Sequence, residues 1–169
     1  IMIHAKLFGK TSDGREVRAF TLKDGQNEAV ILNLGGIIQS LRVADKNGNM
    51  VDVVLGYNDV AGYENNGGYL GALIGRFGNR IEKGNLVIDG EKYQLFCNDR
   101  GNHLHGGQSG FNKKIWDYVF DGPDGNTLSL STTSADGEEN YPGNMKIQVR
   151  YTFVNGELKI DYAAVSDKK

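Results

Sequence analysis

The alternation of apolar and polar residues around Asn155-Gly156 constrains the fold of this chain more than any other feature. Apolar side chains stand at every second position on both sides of the dipeptide: Met145, Ile147, Val149, Tyr151 and Phe153 before it, and Leu158, Ile160, Tyr162 and Ala164 after it. Asn-Gly accepts positive φ at both turn positions, so two alternating segments around it are typical of a β-hairpin. We therefore predict two antiparallel strands over residues 145–165.

Turn signals of the same kind recur along the rest of the chain: Asp13-Gly14, Asp24-Gly25, Asn47-Gly48, Gly67-Gly68, Asp89-Gly90, Asp124-Gly125 and Asp136-Gly137. Between them we predict strands at 28–33, 37–45, 50–55 and 126–133, and a second hairpin over 87–93. No stretch of ten or more residues shows a helical period of 3.6. This pattern predicts an all-β chain, an antiparallel β-sandwich that forms a single domain over residues 1–169.

Composition and charge restrict the binding partners and the cellular compartment that we expect for the protein. The chain has 19 lysines and arginines against 21 aspartates and glutamates, a net charge of −2, which argues against a nucleic-acid partner. No apolar run approaches the ~20 residues of a membrane helix, so we expect no membrane partner. Cys97 is the single cysteine and no signal peptide is visible at the N-terminus, so we expect a cytoplasmic protein.

Residues 62–85 interrupt the strand pattern, and the part over 71–81 has glycines at 71, 75 and 78. One interpretation is a glycine-rich crossover whose arginines cap carbonyl groups. The other is a ligand-binding loop, in which glycine lets the backbone approach a ligand while Asn79 and Arg80 present polar groups. A phosphate loop is excluded, because the segment lacks the G-x-x-x-x-G-K-[ST] lysine and no helical pattern follows it.

Two of the three histidines lie close together, at His103 and His105. On a strand they would point to the same face, where Cys97 and Asp99 could help to bind a metal. No third ligand stands at an informative spacing, so we predict no metal. We interpret His103 as hydrogen-bonded and structural, and His105, which precedes two glycines, as an imidazole that faces a ligand.

Aromatic and acidic residues that follow the histidines add further candidates. Phe111 and Trp116 could line a sugar-sized site, or they could form an aromatic pair in the core, which we favour for Trp116. The acidic segment 134–143 could supply a general base, Glu138 or Glu139, although exposed acidic turns are usually only solvated. No nucleophile-elbow signature accompanies the serines and histidines.

Three motifs together resemble the aldose 1-epimerase (galactose mutarotase) family in sequence, order and separation. They are Gly75-Arg76-Phe77-Gly78-Asn79-Arg80-Ile81, then Asn102-His103-Leu104-His105-Gly106-Gly107 with Gly110-Phe111 and Trp116, then Asp136-Gly137-Glu138-Glu139-Asn140-Tyr141-Pro142-Gly143. The resemblance extends over the whole chain. It implies an antiparallel β-sandwich of the galactose-mutarotase type, in agreement with the strand pattern, and no metal or organic cofactor.

The resemblance also implies a chemistry and a substrate. Members of the family interconvert the α and β anomers of free aldoses such as galactose and glucose by acid–base ring opening and closure. It implies that Asn79 and Arg80 bind sugar hydroxyls, and that His105 binds near the ring oxygen and supports the acid. Arginine suits this task because its rigid fork can bond two hydroxyls at once.

The chain departs from the family in length. Family chains are roughly twice as long, and their proton-donating histidine and proton-accepting glutamate have no counterpart here. We therefore expect an incomplete sandwich that a C-terminal half or a second chain completes, and an isolated chain with weak activity at best. Two alternatives stay open. One is a non-catalytic carbohydrate-binding β-sandwich, and the other is a hexose-phosphate 1-epimerase, for which Arg76, Arg80 and Arg100 are the nearby arginines.

Overall fold

A computed structural model describes residues 5–121 and 125–169 of the chain. Antiparallel strands dominate these residues: β1 (Ala5–Lys10), β2 (Glu16–Asp24), β3 (Asn27–Leu32), β4 (Ile38–Ala44), β5 (Met50–Asp52), β6 (Arg80–Ile81), β7 (Asn85–Ile88), β8 (Glu91–Gln94), β9 (His103–Leu104), β10 (Asp117–Asp121), β11 (Thr127–Ser134), β12 (Met145–Val154) and β13 (Glu157–Ser166). One short helix, α1 (Val60–Asn65), joins the two halves of the described chain, together with single 3₁₀ turns at 82–84, 111–113 and 138–140. In the ranges described, no helix has the length and apolar character needed to cross a bilayer.

The strands form two main sheets, each a simple meander. The first has the order β1-β2-β3-β4-β5 and the second has the order β10-β11-β12-β13, while β6 pairs with β9 and β7 with β8. The predicted hairpin at Asn155-Gly156 is confirmed: Val154 pairs with Glu157, and both turn residues have positive φ. This is the geometry that Asn-Gly accepts without a steric clash.

The two sheets pack face to face, which confirms the predicted antiparallel β-sandwich. Inward-facing residues of both sheets form one buried cluster: Phe20, Leu22, Ala29 and Ile31 from the first sheet, and Leu128, Leu130, Ile147, Val149, Tyr151 and Phe153 from the second. Tyr151 also donates a hydrogen bond from its hydroxyl to the carbonyl oxygen of Gly36, at 2.7 Å. Burial of one such side chain stabilises a fold by ~1.5–3 kcal/mol, so this cluster dominates the stability of the sandwich.

The predicted strands at 28–33, 37–45 and 126–133 and the hairpin over 87–93 are confirmed as β3, β4, β11 and β7–β8. The strand predicted at 50–55 is shorter than expected and ends at Asp52, and the predictions did not include β1, β2, β10 or α1. Helix α1 begins at a cap in which the Asp59 carboxylate accepts a hydrogen bond from the Gly62 amide at 2.7 Å. Of the turn predicted at Asp124-Gly125, Asp124 lies outside the described residues.

On strand β13, the first sheet does not cover all of the core-facing side of the second sheet. Tyr162 lies opposite the buried Val149 of β12, so both side chains point to the same side of the sheet. Val149 is 1% exposed and Tyr162 is 67% exposed. Leu158 and Ile160 of β13 still pack against the core, so among the described residues the inward face of the sandwich is open at Tyr162 of β13.

Candidate functional site

The short ladder between β6 and β9 brings two of the sequence motifs together. Arg80 pairs with Leu104 and Ile81 pairs with His103 in antiparallel register. The amide of His105 continues the ladder by donating to the carbonyl oxygen of Asn79 at 2.9 Å. The structure thus places Asn79, Arg80 and His105, which are separated by up to 26 positions in the sequence, side by side.

His105 is held by its ring as well as by its backbone. Its Nδ1 accepts a hydrogen bond from the Asn79 amide at 2.9 Å, so a neutral His105 carries its proton on Nε2. The ring of Tyr69 meets the imidazole edge-on, with 4.8 Å between ring centroids. His105 is half-buried, and the arrangement gives it one N–H donor that no protein group fixes among the described residues.

Arg80 is exposed and oriented by two neighbours. Its Nε donates to Oδ2 of Asp99 at 2.9 Å, and its Nη1 donates to Oδ1 of Asn79 at 3.2 Å. The Arg80 side chain is 50% exposed, whereas that of Asp99 is only 23% exposed. Asp99 therefore serves as a partly buried anchor, and among the described residues the Nη2 group of Arg80 has no hydrogen-bond partner.

His103 does not share the surroundings of His105, and the expectation that the two point to one face is wrong. Strand β9 ends at Leu104, and His105 has a positive φ of 52°, which breaks the alternation. His103 is completely buried, with Nδ1 at 2.7 Å from the Phe96 carbonyl oxygen and Nε2 at 2.5 Å from the Tyr141 hydroxyl. The interpretation of His103 as a hydrogen-bonded structural residue is confirmed.

The Tyr141 hydroxyl, which His103 contacts, is buried as well. Loss of solvent raises the pKa of Tyr141 to about 12, so this hydroxyl keeps its proton and remains a donor. The guanidinium of Arg76 lies 5.6 Å from the centroid of the same ring. Tyr141 thus connects the buried histidine beneath the site to the loop that contains Arg76.

Arg76 caps carbonyl groups, as the first of the two interpretations of residues 71–81 proposed. Its guanidinium donates to the Ser134 hydroxyl at 2.9 Å and to the carbonyl oxygens of Pro142 and Gly143 at 2.8 Å each. Two further bonds reach the carbonyl oxygens of Ser134 and Ala135 at 3.1 Å. Burial lowers the pKa of the guanidinium from its ordinary value, yet an arginine stays charged. Arg76 therefore joins the glycine-rich loop to the acidic loop.

Position 106 requires a glycine, because the backbone there packs directly against the backbone of Gly75. Gly106 has a φ of +88°, and a Cβ added there would lie 1.7 Å from the carbonyl oxygen of Gly75. Gly75 in turn faces the ring of Phe111, which a Cβ would approach to 2.3 Å. These glycines let the loop that follows His105 lie directly against the loop that leads to Asn79, which fixes the spacing of the site.

Phe111 and Trp116 belong to the core, so the suggestion that they line a sugar site is wrong. They are 6% and 1% exposed and meet edge-to-face with 5.8 Å between ring centroids. The indole N–H of Trp116 donates to the carbonyl oxygen of Phe111 at 3.1 Å, which satisfies its only polar group.

The acidic candidates hold their own loop together. The Glu138 carboxylate lies 2.8 Å from Nζ of Lys114 and accepts a hydrogen bond from the Ser134 hydroxyl at 2.9 Å. Glu139 accepts the Ser109 amide at 2.7 Å. Both carboxylates are thus engaged in contacts that order the loop, and the geometry gives neither of them the setting of a general base.

The residues considered as metal ligands are dispersed. Within the described part of the chain, no group of three or more His, Cys, Asp and Glu side chains is placed to hold a metal ion. Cys97 is exposed, and Asp99 is bound to Arg80. Sequence reasoning missed Tyr69 as a neighbour of His105, and the one signal that could have indicated it is an aromatic residue set between Gly68 and Gly71.

The chain matches the family model for aldose 1-epimerase over residues 18–169. It is 40% identical to galactose mutarotase from Rattus norvegicus over 97% of its own length and 47% of that relative. It is 31% identical to aldose 1-epimerase from Escherichia coli K12 over 92% of its length and 45% of the relative. The chain spans about half the length of these curated relatives.

Solved structures agree with the sequence relatives. An aldose epimerase homologue from C. elegans superposes with a TM-score of 0.82 at 30% identity, over 88% of this chain and 46% of the other. A galactose 1-epimerase from Lactobacillus acidophilus superposes with a TM-score of 0.81 at 27% identity, over 97% of this chain and 48% of the other. The fold and the matched family model lead to one conclusion: this chain belongs to the aldose 1-epimerase family.

Proposed function

We propose that the chain binds free aldoses such as galactose and glucose at Asn79, Arg80 and His105, as part of an enzyme that interconverts their α and β anomers. One observation carries the proposal. Asn79 contacts both other groups: its amide donates to Nδ1 of His105, which leaves Nε2–H as the donor of the neutral ring, and its side-chain oxygen accepts from Nη1 of the exposed Arg80. Such a set of donors, fixed by backbone contacts, suits the oxygen atoms of a sugar.

We propose a role for each group in this reaction. In anomer interconversion, a base removes the C1 hydroxyl proton while an acid protonates the ring oxygen, the ring opens, and closure on the other face gives the other anomer. Nε2–H of His105 would donate a hydrogen bond near the ring oxygen and stabilise the ring-opened form. Arg80, anchored by Asp99, would hold sugar hydroxyls in place through its Nη groups.

The proton-donating histidine and the proton-accepting glutamate that the family resemblance implies would come from outside the chain described. We propose that the same additional segment, a C-terminal half or a second chain, covers β13 and completes the sandwich of residues 1–169. The support is the open inward face of β13, where Tyr162 is 67% exposed although its partner Val149 is buried. A cytoplasmic location is part of the proposal, since Cys97 is an exposed free thiol.

The contacts of Arg76 support a free sugar, rather than a sugar phosphate, as the substrate. A phosphate would need a cationic cluster, but the Arg76 guanidinium is engaged by the Ser134 hydroxyl and by carbonyl oxygens. Arg100 is 90% exposed on its side chain and lies 3.8 Å from Asp99, which already binds Arg80. The arginines considered for a phosphate thus leave Arg80 alone at the site.

Titration of the 169-residue chain with galactose, followed by NMR of backbone amides, tests the site. We expect shifts at residues 79–80 and 104–106. We expect Arg80→Lys to weaken binding about tenfold, because lysine cannot reproduce a two-pronged donor, and His105→Asn to weaken it as well. Arg150→Lys, an exposed arginine on β12, is the matched control and should bind as the parent does. Equal galactose affinity in Arg80→Lys and the parent would refute the assignment.

Polarimetry of freshly dissolved α-galactose tests the anomer chemistry separately from binding. We expect the isolated chain to accelerate mutarotation weakly at best, and the chain supplemented with its missing half to accelerate it strongly. A supporting histidine contributes part of the ~10²–10⁴-fold of a positioned acid or base, so His105→Asn should lower kcat of the complete enzyme. Galactose binding with no mutarotation in the complete protein would favour a non-catalytic carbohydrate-binding sandwich.

A further inference from the structure

Tyr69 contacts His105 of the candidate sugar site and also lines a cavity. One side of its ring meets the imidazole of His105, at 4.8 Å between centroids and 64° between ring planes. The side chain also lines a cavity of about 660 Å³, together with Tyr57, Tyr63 and Asn112. Tyr69 is half-buried, so its ring has neighbours on the His105 side and open space on the other.

The backbone fixes where the Tyr69 ring can lie. Tyr69 has a φ of +54°, a conformation that is unusual for a bulky side chain and persists only where the surroundings impose it. Its carbonyl oxygen accepts the Ala72 amide at 3.2 Å, and the carbonyl oxygen of Gly71 accepts the Ile38 amide at 3.0 Å. The turn is therefore anchored at the start of β4, in the first sheet.

His105 needs a second contact to fix the direction of its free donor. The hydrogen bond from the Asn79 amide restrains Nδ1, but small rotations about the Cα–Cβ and Cβ–Cγ bonds remain compatible with it, and they displace Nε2. The Tyr69 ring packs against the imidazole at 4.8 Å between centroids and 64° between ring planes. This contact limits those rotations.

We propose that Tyr69 is a positioning residue, which holds the His105 imidazole so that Nε2–H points at the bound aldose. The effect of Tyr69 on His105 is independent of any ligand, and only its effect on sugar affinity rests on the proposed function. The hydroxyl of Tyr69 plays no part in the contact, so a phenylalanine should replace it. Removal of the ring should release the imidazole.

The test combines the tautomer of His105 with galactose affinity in the 169-residue chain. Long-range ¹H–¹⁵N spectra of the histidine side chains should show one Nε2–H tautomer for His105 in the parent and in Tyr69→Phe. Tyr69→Ala and Tyr69→Gly should show averaged or broadened His105 signals, and galactose affinity should fall by about three- to tenfold, the range of one aromatic pair. Glycine accepts the positive φ, so Tyr69→Gly separates the loss of the ring from backbone strain.

A control variant and a separate galactose titration of the parent distinguish failure of the positioning role from failure of the proposed function. Tyr57→Leu alters the same cavity, but the Tyr57 ring contacts Tyr63, so the His105 signals should not change. Unchanged His105 signals in both Tyr69→Ala and Tyr69→Gly would overturn the positioning role. A parent chain that fails to bind galactose would overturn the proposed function, while the His105 signals would still decide the role of Tyr69.

Discussion

Removal of the Tyr141 hydroxyl should destabilise the chain, because among the described residues Nε2 of the buried His103 has no other hydrogen-bond partner. The Nδ1 atom of His103 lies 2.7 Å from the Phe96 carbonyl oxygen, which can only accept, so Nδ1 must carry the proton. In the neutral ring Nε2 can then only accept, and the Tyr141 hydroxyl at 2.5 Å is its donor. Tyr141→Phe keeps the ring and leaves Nε2 buried without a donor.

The size of the expected loss of stability follows from the burial of His103, which is 0% exposed. A buried polar atom left without its partner costs ~1–3 kcal/mol. A chain of this size shifts its Tm by about 2–4 °C per kcal/mol, so Tyr141→Phe should lower Tm by roughly 2–12 °C. This is a sizeable share of a typical stability of ~5–15 kcal/mol.

Urea unfolding followed by the fluorescence of Trp116, the single tryptophan and 1% exposed, measures the change. Tyr162→Phe, which removes a hydroxyl from an exposed side chain, is the control and should leave the midpoint unchanged. His103→Leu combined with Tyr141→Phe should cost less than the two single changes added together, because neither partner is then left alone. An unchanged midpoint in Tyr141→Phe would refute the argument that this bond satisfies a buried acceptor.

Three further predictions follow from the same contacts. Gly106→Ala should destabilise the chain by more than about 3 kcal/mol in urea unfolding, since its Cβ would lie 1.7 Å from the Gly75 carbonyl oxygen. The Gly143 amide and Lys168 lower the pKa of Asp136 from its ordinary value of 3.8. The ionised carboxylate therefore stabilises the fold above that pH, and this stabilisation is lost as the pH falls through the lowered pKa. Asp136→Asn should flatten the acid side of a stability–pH curve measured by urea unfolding. Tyr162→Lys should reduce association at high concentration in light scattering, because it places a charge on the open face of β13.

The fold was largely predictable because its signals are local. Alternation specifies which side of a strand is buried, and Asn155 and Gly156 adopt the positive φ values on which the predicted hairpin depends. Helix α1 could not be predicted in this way, because a helix of six residues is too short to show a 3.6 period and only its Asp59 cap marks it. The early end of β5 at Asp52 depends on which neighbours the strand finds, and no local pattern shows that.

The motifs indicated Asn79, Arg80 and His105 as candidates, but not the contacts that these residues make. The structure places their backbones next to one another, and their role in binding stays a prediction. The anchor of Arg80 at Asp99 depends on a pairing register between segments far apart in the sequence, and single-residue properties do not encode it. Whether a particular aromatic residue such as Phe111 is buried or lines a site depends on packing in the same way.

The two arginines of the glycine-rich loop show how structure separates roles that sequence leaves equivalent. Arg76 and Arg80 lie four residues apart in the sequence. One interpretation of the loop made both of them caps of carbonyl groups, and the other made Arg80 a group that binds a ligand. Arg76 turns inward, where five bonds to the acidic loop involve all three nitrogens of its guanidinium. Arg80 turns outward on a ladder strand, and a partly buried carboxylate orients it without covering it. Arg76 therefore fixes the loop, whereas Asp99 and Asn79 set the direction of the Arg80 side chain.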